Sequence, residues 1–160
     1  MRARLLAAAV VATIVTIITA ACGGRAAAPA AGSTLQVHDA WARAADSGTV
    51  TAVYLAIANH DASPVSLTGA SSTLAESVTL HETMAMNGMV HMMPLDSAQT
   101  IASGDSLVLA EGAKHLMVTG LRRALVAGDS LPIVLTFAGG RTLTLTAIVK
   151  ALVPASVPAP

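Results

Sequence analysis

Residues 133–149 read Ile-Val-Leu-Thr-Phe-Ala-Gly-Gly-Arg-Thr-Leu-Thr-Leu-Thr-Ala-Ile-Val. On both sides of the glycine pair, apolar and polar groups alternate with the period at which successive side chains of a strand point to opposite faces. Ile133, Leu135 and Phe137 point one way, and Leu143, Leu145 and Ala147 must join them if both segments serve one core. Only an odd-length loop brings the two sets to the same side, so three residues, Gly139, Gly140 and Arg141, are expected to turn this hairpin.

The same texture continues upstream. Short runs rich in Val, Leu, Ile and Thr alternate with Gly, Asp, Asn and Pro clusters, which is the pattern of an antiparallel all-β domain. Strands are expected over 35–41, 51–59, 65–70, 78–86, 89–95, 106–109, 115–119, 133–138 and 142–149. So many short strands with scarcely any helix signal imply two packed sheets or a small barrel. Trp41 and Phe137, the single Trp and Phe, are expected to fill gaps in the core.

The folded region is expected over 34–152, a normal size for one domain. Before it, Arg2 and Arg4 precede an almost unbroken apolar run from Leu5 to Ala21, the layout of a signal peptide over 1–21. Cys22, the only cysteine, follows Thr19-Ala20-Ala21 and precedes two glycines, and this resembles a bacterial lipoprotein processing site. A lipid on Cys22 would tether the domain to a membrane through the small-residue stretch 22–33, and the Pro/Ala-rich tail 153–160 reads as a second flexible segment. Without the signal, seven Lys and Arg remain against nine Asp and Glu, a balance that argues against a nucleic-acid partner.

The chemistry concentrates in one window. Apart from the initiator, every methionine lies between Met84 and Met117, and His81, His91 and His115 fall in almost the same stretch. Thioether sulfur is soft and neutral and suits Cu(I), whereas imidazole suits copper in either oxidation state, so a His/Met set selects copper over zinc, calcium or magnesium. Asn87-Gly88 between Met86 and Met89 is a strong two-residue hairpin signal, which pairs residues whose numbers sum to 175. His81 then faces Pro94, Met92 lies diagonally beside His81 on the same face, and Met93 points to the other face with Glu82. In Lys114-His-Leu-Met-Val-Thr119, His115 and Met117 share one face and leave Leu116 and Val118 for the core. The candidate ligands are therefore His81, Met92, His115 and Met117 at a shallow, exposed site, with Met84, Met86, Met89, His91 and Met93 beside it as additional sulfur or nitrogen donors or an apolar docking surface. His38 and His60 read as strand-end or turn residues.

The spacing His81-x10-Met92-x22-His115-x-Met117 resembles the signature of the periplasmic copper chaperone family PCu(A)C, His-x10-Met-x21-His-x-Met. The second gap is one residue longer here, which leaves the second ligand open between Met92 and Met93, while Met92-Met93-Pro94 resembles the family's Met-x-Pro and favours Met92. Asp39-Ala-Trp-Ala-Arg43, Ala52-Val-Tyr-Leu55, Gly69-Ala-Ser-Ser72, Leu80-His-Glu82 and His115-Leu-Met-Val-Thr-Gly-Leu121 are similar to further family segments. The resemblance implies a cupredoxin-like, immunoglobulin-like Greek-key β-sandwich outside the cytoplasm. It also implies Cu(I), and at times Cu(II), as cargo, passed to an acceptor such as a cytochrome oxidase subunit or a thiol-bearing copper chaperone.

Other readings are weaker. A blue copper site needs a cysteine thiolate, and the region 34–152 has none. An enzyme would need paired carboxylates, a phosphate-binding glycine loop or a nucleophile elbow, and none of these is evident, so no catalytic residue is assigned. A copper-sequestering lipoprotein and a metal-free adhesion or assembly module remain as alternatives to a carrier.

Overall fold

The computed structural model describes residues 34–151 apart from residue 87. The expected signal peptide over 1–21, the cysteine and tether over 22–33 and the tail over 153–160 lie outside the described residues. Ten strands appear among the described residues: β1 (Leu35–Arg43), β2 (Thr51–Asn59), β3 (Val65–Ser71), β4 (Ser77–Met86), β5 (Met89–Pro94), β6 (Gln99–Ile101), β7 (Ser106–Leu109), β8 (Lys114–Thr119), β9 (Ser130–Phe137) and β10 (Thr142–Lys150). Their order is β5-β4-β8-β2-β1-β10-β9-β3-β6, with β7 on β2. A short β3–β4 pairing at Ala70 and Val78 closes the path on itself, so the sheet flattens into a β-sandwich around one core. All pairs are antiparallel except β1 with β10.

The alternation in β9 and β10 sets one wall of that core. Leu131, Ile133, Leu135 and Phe137 are buried, and Leu143 and Leu145 lie opposite Leu135 and Ile133. The turn has the expected odd length but sits one residue earlier, at Ala138–Gly140, with the Phe137 N–H donating to the Arg141 carbonyl. Gly139 and Gly140 both adopt φ of 79°, a left-handed pair that only two glycines accept without strain.

Two expectations need correction. The strand β6 escaped the sequence reading because it is three residues long and buries one side chain, Ile101. Trp41 does not fill the core. The β1–β2 register shifts between His38 and Trp41, where Asp39 takes φ of 53°. This bulge inserts one residue, so Leu35 and then Ala42 face the core and Trp41 turns to the outer face. There it lies half-buried against Tyr54, with ring centres 4.5 Å apart, and under the Lys150 ammonium.

Candidate metal centre

Strands β4 and β8 pair His81 directly with His115 and Thr79 with Met117. Strand β5 pairs Thr83 with Met92 and His81 with Pro94, the register in which residue numbers sum to 175. Residues opposite one another in an antiparallel pair share a face, so Met92, His81, His115 and Met117 all project from the outer face of three adjacent strands. Leu116 and Val118, on the other face, are buried in the core. Met93 pairs with Glu82 and points away from this set.

The depth of the donors corrects the expectation of a wholly exposed site. His81 and His115 are 7% and 4% exposed, whereas Met92 is 60% exposed. The His115 imidazole is flanked by a wall that sequence reading missed: Tyr54 lies 6.2 Å from His115 between ring centres and itself rests on Trp41. The extension of the β2–β8 pairing past Ala52 and Met117 would have found Tyr54, and the bulge at Asp39 hid Trp41. Arg43 sits over the Tyr54 ring and pairs with Glu111 at 2.5 Å. Beside this wall Tyr54, His115, Met92 and Met117 line a groove of about 540 Å³ that opens to solvent.

The hydrogen bonds leave each imidazole with one free nitrogen. His115 Nδ1 lies 3.1 Å from the Ala113 carbonyl, which can only accept, so Nδ1 carries the proton and Nε2 keeps its lone pair. His81 Nε2 lies 3.0 Å from Thr79 Oγ1, and His81 Nδ1 is buried with no hydrogen-bond partner. A buried polar atom without a partner costs stability and calls for a reason. With Nε2–H donating to Thr79, that orphan is a lone pair available for a metal, and such outer hydrogen bonds commonly fix the tautomer of metal-ligating histidine.

The ring centres of His81 and His115 are 6.1 Å apart. Imidazole nitrogen binds at roughly 2.0–2.1 Å, which puts each ring centre about 3 Å from an ion and allows two rings on one ion to stand at this separation. Among the described residues no group of three or more His, Cys, Asp or Glu side chains could hold a metal ion, and the soft donor atoms that share the face of these two histidines are the sulfurs of Met92 and Met117. Two neutral imidazoles and two thioethers make an uncharged, soft donor set of the kind that suits Cu(I). The placement of Met84, Met86, Met89 and His91 also departs from expectation. Met84 pairs with His91 and Met86 with Met89, all on the face of the β4–β5 hairpin away from His81.

Burial, and after it the neighbouring His115, holds His81 below the ordinary imidazole range, while Asp96 opposes the shift. A folded-state value below the unfolded one means that the unfolded chain takes the proton first as pH falls. The contribution of neutral His81 to stability is therefore present above about pH 6.5 and is lost as pH drops through the folded value. Thermal melting of the metal-free protein between pH 7.5 and 5 should show this loss, and His81→Leu should reduce the slope. An identical slope in the variant would remove His81 as its source.

Residues 35–149 match the model of the LpqE-like lipoprotein family. A protein of Leifsonia xyli subsp. xyli named as a lipoprotein, Lxx21020, is 37% identical over 116 residues, covering 72% of this chain and 69% of that protein. The solution structure of CuI-DR1885 from Deinococcus radiodurans is 34% identical with a TM-score of 0.54, covering 76% of this chain and 83% of that one. The copper-bound PCuAC domain from PmoF2 has the same fold, with a TM-score of 0.60 at 22% identity over 74% of this chain and 94% of that one.

Proposed function

The chain belongs to the LpqE-like lipoprotein family, and from that membership together with the paired imidazoles we propose that it is an extracytoplasmic copper carrier, not an enzyme. One Cu(I) ion is held by His81 Nδ1, His115 Nε2 and the sulfurs of Met92 and Met117. Cys22 carries a lipid that keeps the domain at a membrane. The observation that carries this reading is the orphaned Nδ1 of His81, buried and directly across the β4–β8 pair from His115. A histidine kept for packing alone would pair that atom or yield the site to an apolar residue. The resemblance of CuI-DR1885, a protein solved with Cu(I), supports the choice of ion. Parity supports Met92 over Met93 as the second sulfur, because Met93 lies on the opposite face.

The same geometry suits release as well as capture. All four donors are neutral, so a charged thiolate acceptor can displace them stepwise. Met92 is the exposed donor and Met117 lies half-covered in the groove, so an acceptor meets the sulfurs first, while the imidazoles stay fixed by Thr79 and Ala113. The acceptor is an oxidase copper centre or a thiol-bearing copper chaperone. Anaerobic Cu(I) titration should reach saturation at this site with one ion per chain, and the loaded protein should transfer that ion to a thiol-bearing apo acceptor. Tight binding without transfer would favour sequestration over delivery, and no binding would leave only the metal-free module.

Thr79 tests the role of the outer hydrogen bond. Thr79→Val removes the acceptor that orients His81, and loss of such a partner typically weakens metal binding about 10- to 100-fold. Competition with a Cu(I) chelator should show that drop at unchanged stoichiometry. Unaltered affinity would mean that the tautomer is set by something else.

A further inference from the structure

The methionines that do not meet His81 are not scattered. Beyond Thr83, whose N–H donates to the Ala113 carbonyl, β4 pairs only with β5, and every residue of β5 is exposed, so the end of this hairpin is a two-sided ribbon with no third layer. On the face opposite the His81 set, Met84 stands across from His91 and Met86 across from Met89. Met84, Met86 and Met89 are 44%, 51% and 61% exposed, which rules out core packing as the reason for these side chains. Large apolar groups on an exposed edge strand invite aggregation, and proteins usually blunt such edges with charge.

We propose that Met84, Met86, Met89 and His91 form a second soft-metal site, for Cu(I) or Ag(I), on the face of the β4–β5 ribbon opposite the His81–His115 site. Direct cross-strand partners stand about 5 Å apart at Cβ and residues two apart along a strand about 7 Å, so the four make a rectangle whose centre is roughly 4 Å from each Cβ. A thioether is long and unbranched, and with a metal–sulfur bond of about 2.3 Å it spans that distance without backbone movement. Three sulfurs and one imidazole give a neutral, soft donor set that no hard cation prefers. Met93 and Glu82 come next on the same face and extend it toward Lys114. In contrast to the buried imidazoles, these donors are exposed to solvent, so fixing their rotamers on an ion costs side-chain entropy and the site binds more weakly than the first. It draws on the ribbon's register and on sulfur chemistry alone, independently of the function assigned to the first site.

The test uses the full chain with methionine methyl groups labelled with carbon-13, titrated with Ag(I) as a redox-inert stand-in for Cu(I). The first equivalent should shift the Met92 and Met117 methyls, and the second should shift those of Met84, Met86 and Met89. The Met84→Leu, Met86→Leu, Met89→Leu variant should lose the second phase and keep the first. If these three methyls stay unmoved once Met92 and Met117 are saturated, the second site does not exist. If the three respond and Met92 and Met117 do not, the second site stands and the first-site assignment falls.

Discussion

His81→Leu should abolish tight Cu(I) binding and leave the metal-free domain as stable as the parent or more stable. The two effects have one origin. His81 is 7% exposed and its Nδ1 has no hydrogen-bond partner, so the folded protein carries an unpaired buried polar atom, whose cost is about 1–3 kcal/mol. Leucine removes that cost, and Thr79, which is exposed, turns its freed hydroxyl to water. Copper binding loses a nitrogen donor outright, which should weaken it by more than the roughly 100-fold that the loss of an outer partner can bring. Chelator competition and thermal melting of the same variant read the two quantities. A variant that binds copper normally, or one that melts far below the parent, would show that His81 serves the fold and not the ion.

Asn59→Ala should have the opposite pattern, with a large loss of stability and no change in copper affinity of the folded protein. Asn59 is fully buried. Its amide donates to the carbonyls of Ser63, Ile101 and Ala102 at 3.0, 3.1 and 3.1 Å, and its oxygen accepts from the Asp61 N–H at 3.0 Å. Alanine removes this partner from the Asp61 N–H and the Ser63 and Ile101 carbonyls, at about 1–3 kcal/mol for each one left buried and unpaired, while the Ala102 carbonyl keeps the Asp105 N–H, so a total of about 3 kcal/mol is expected. In a domain of this size that lowers the melting temperature by at least about 10 °C. A shift of only a degree or two would mean that water enters and takes over these bonds.

What the sequence reveals, and what it hides, follows from how local each signal is. The β4–β5 register is legible because Asn87-Gly88 sits between two alternating runs, and the pairing of His81 with Pro94 follows from counting. Once that register is known, parity separates Met92 from Met93. The β8 placement of His115 and Met117 opposite a core face of Leu116 and Val118 is equally local. The direct apposition of His81 and His115 is not, because β4 and β8 are joined through non-consecutive strands and no turn fixes their register. Trp41 was misplaced because the bulge at Asp39 has no glycine to announce it, and one inserted residue reverses every face downstream. The flanking of His115 by Tyr54 depends on that same non-local arrangement, and so the depth of the site was not readable from spacing alone.

Copper K-edge X-ray absorption on protein loaded with one equivalent of Cu(I) tests the central assignment most directly. The account predicts an ion surrounded by two imidazole nitrogens and two thioether sulfurs, with one sulfur lost in Met117→Leu and one nitrogen lost in His115→Ala. A first equivalent bound by sulfur alone, or a spectrum unchanged in both variants, would contradict it.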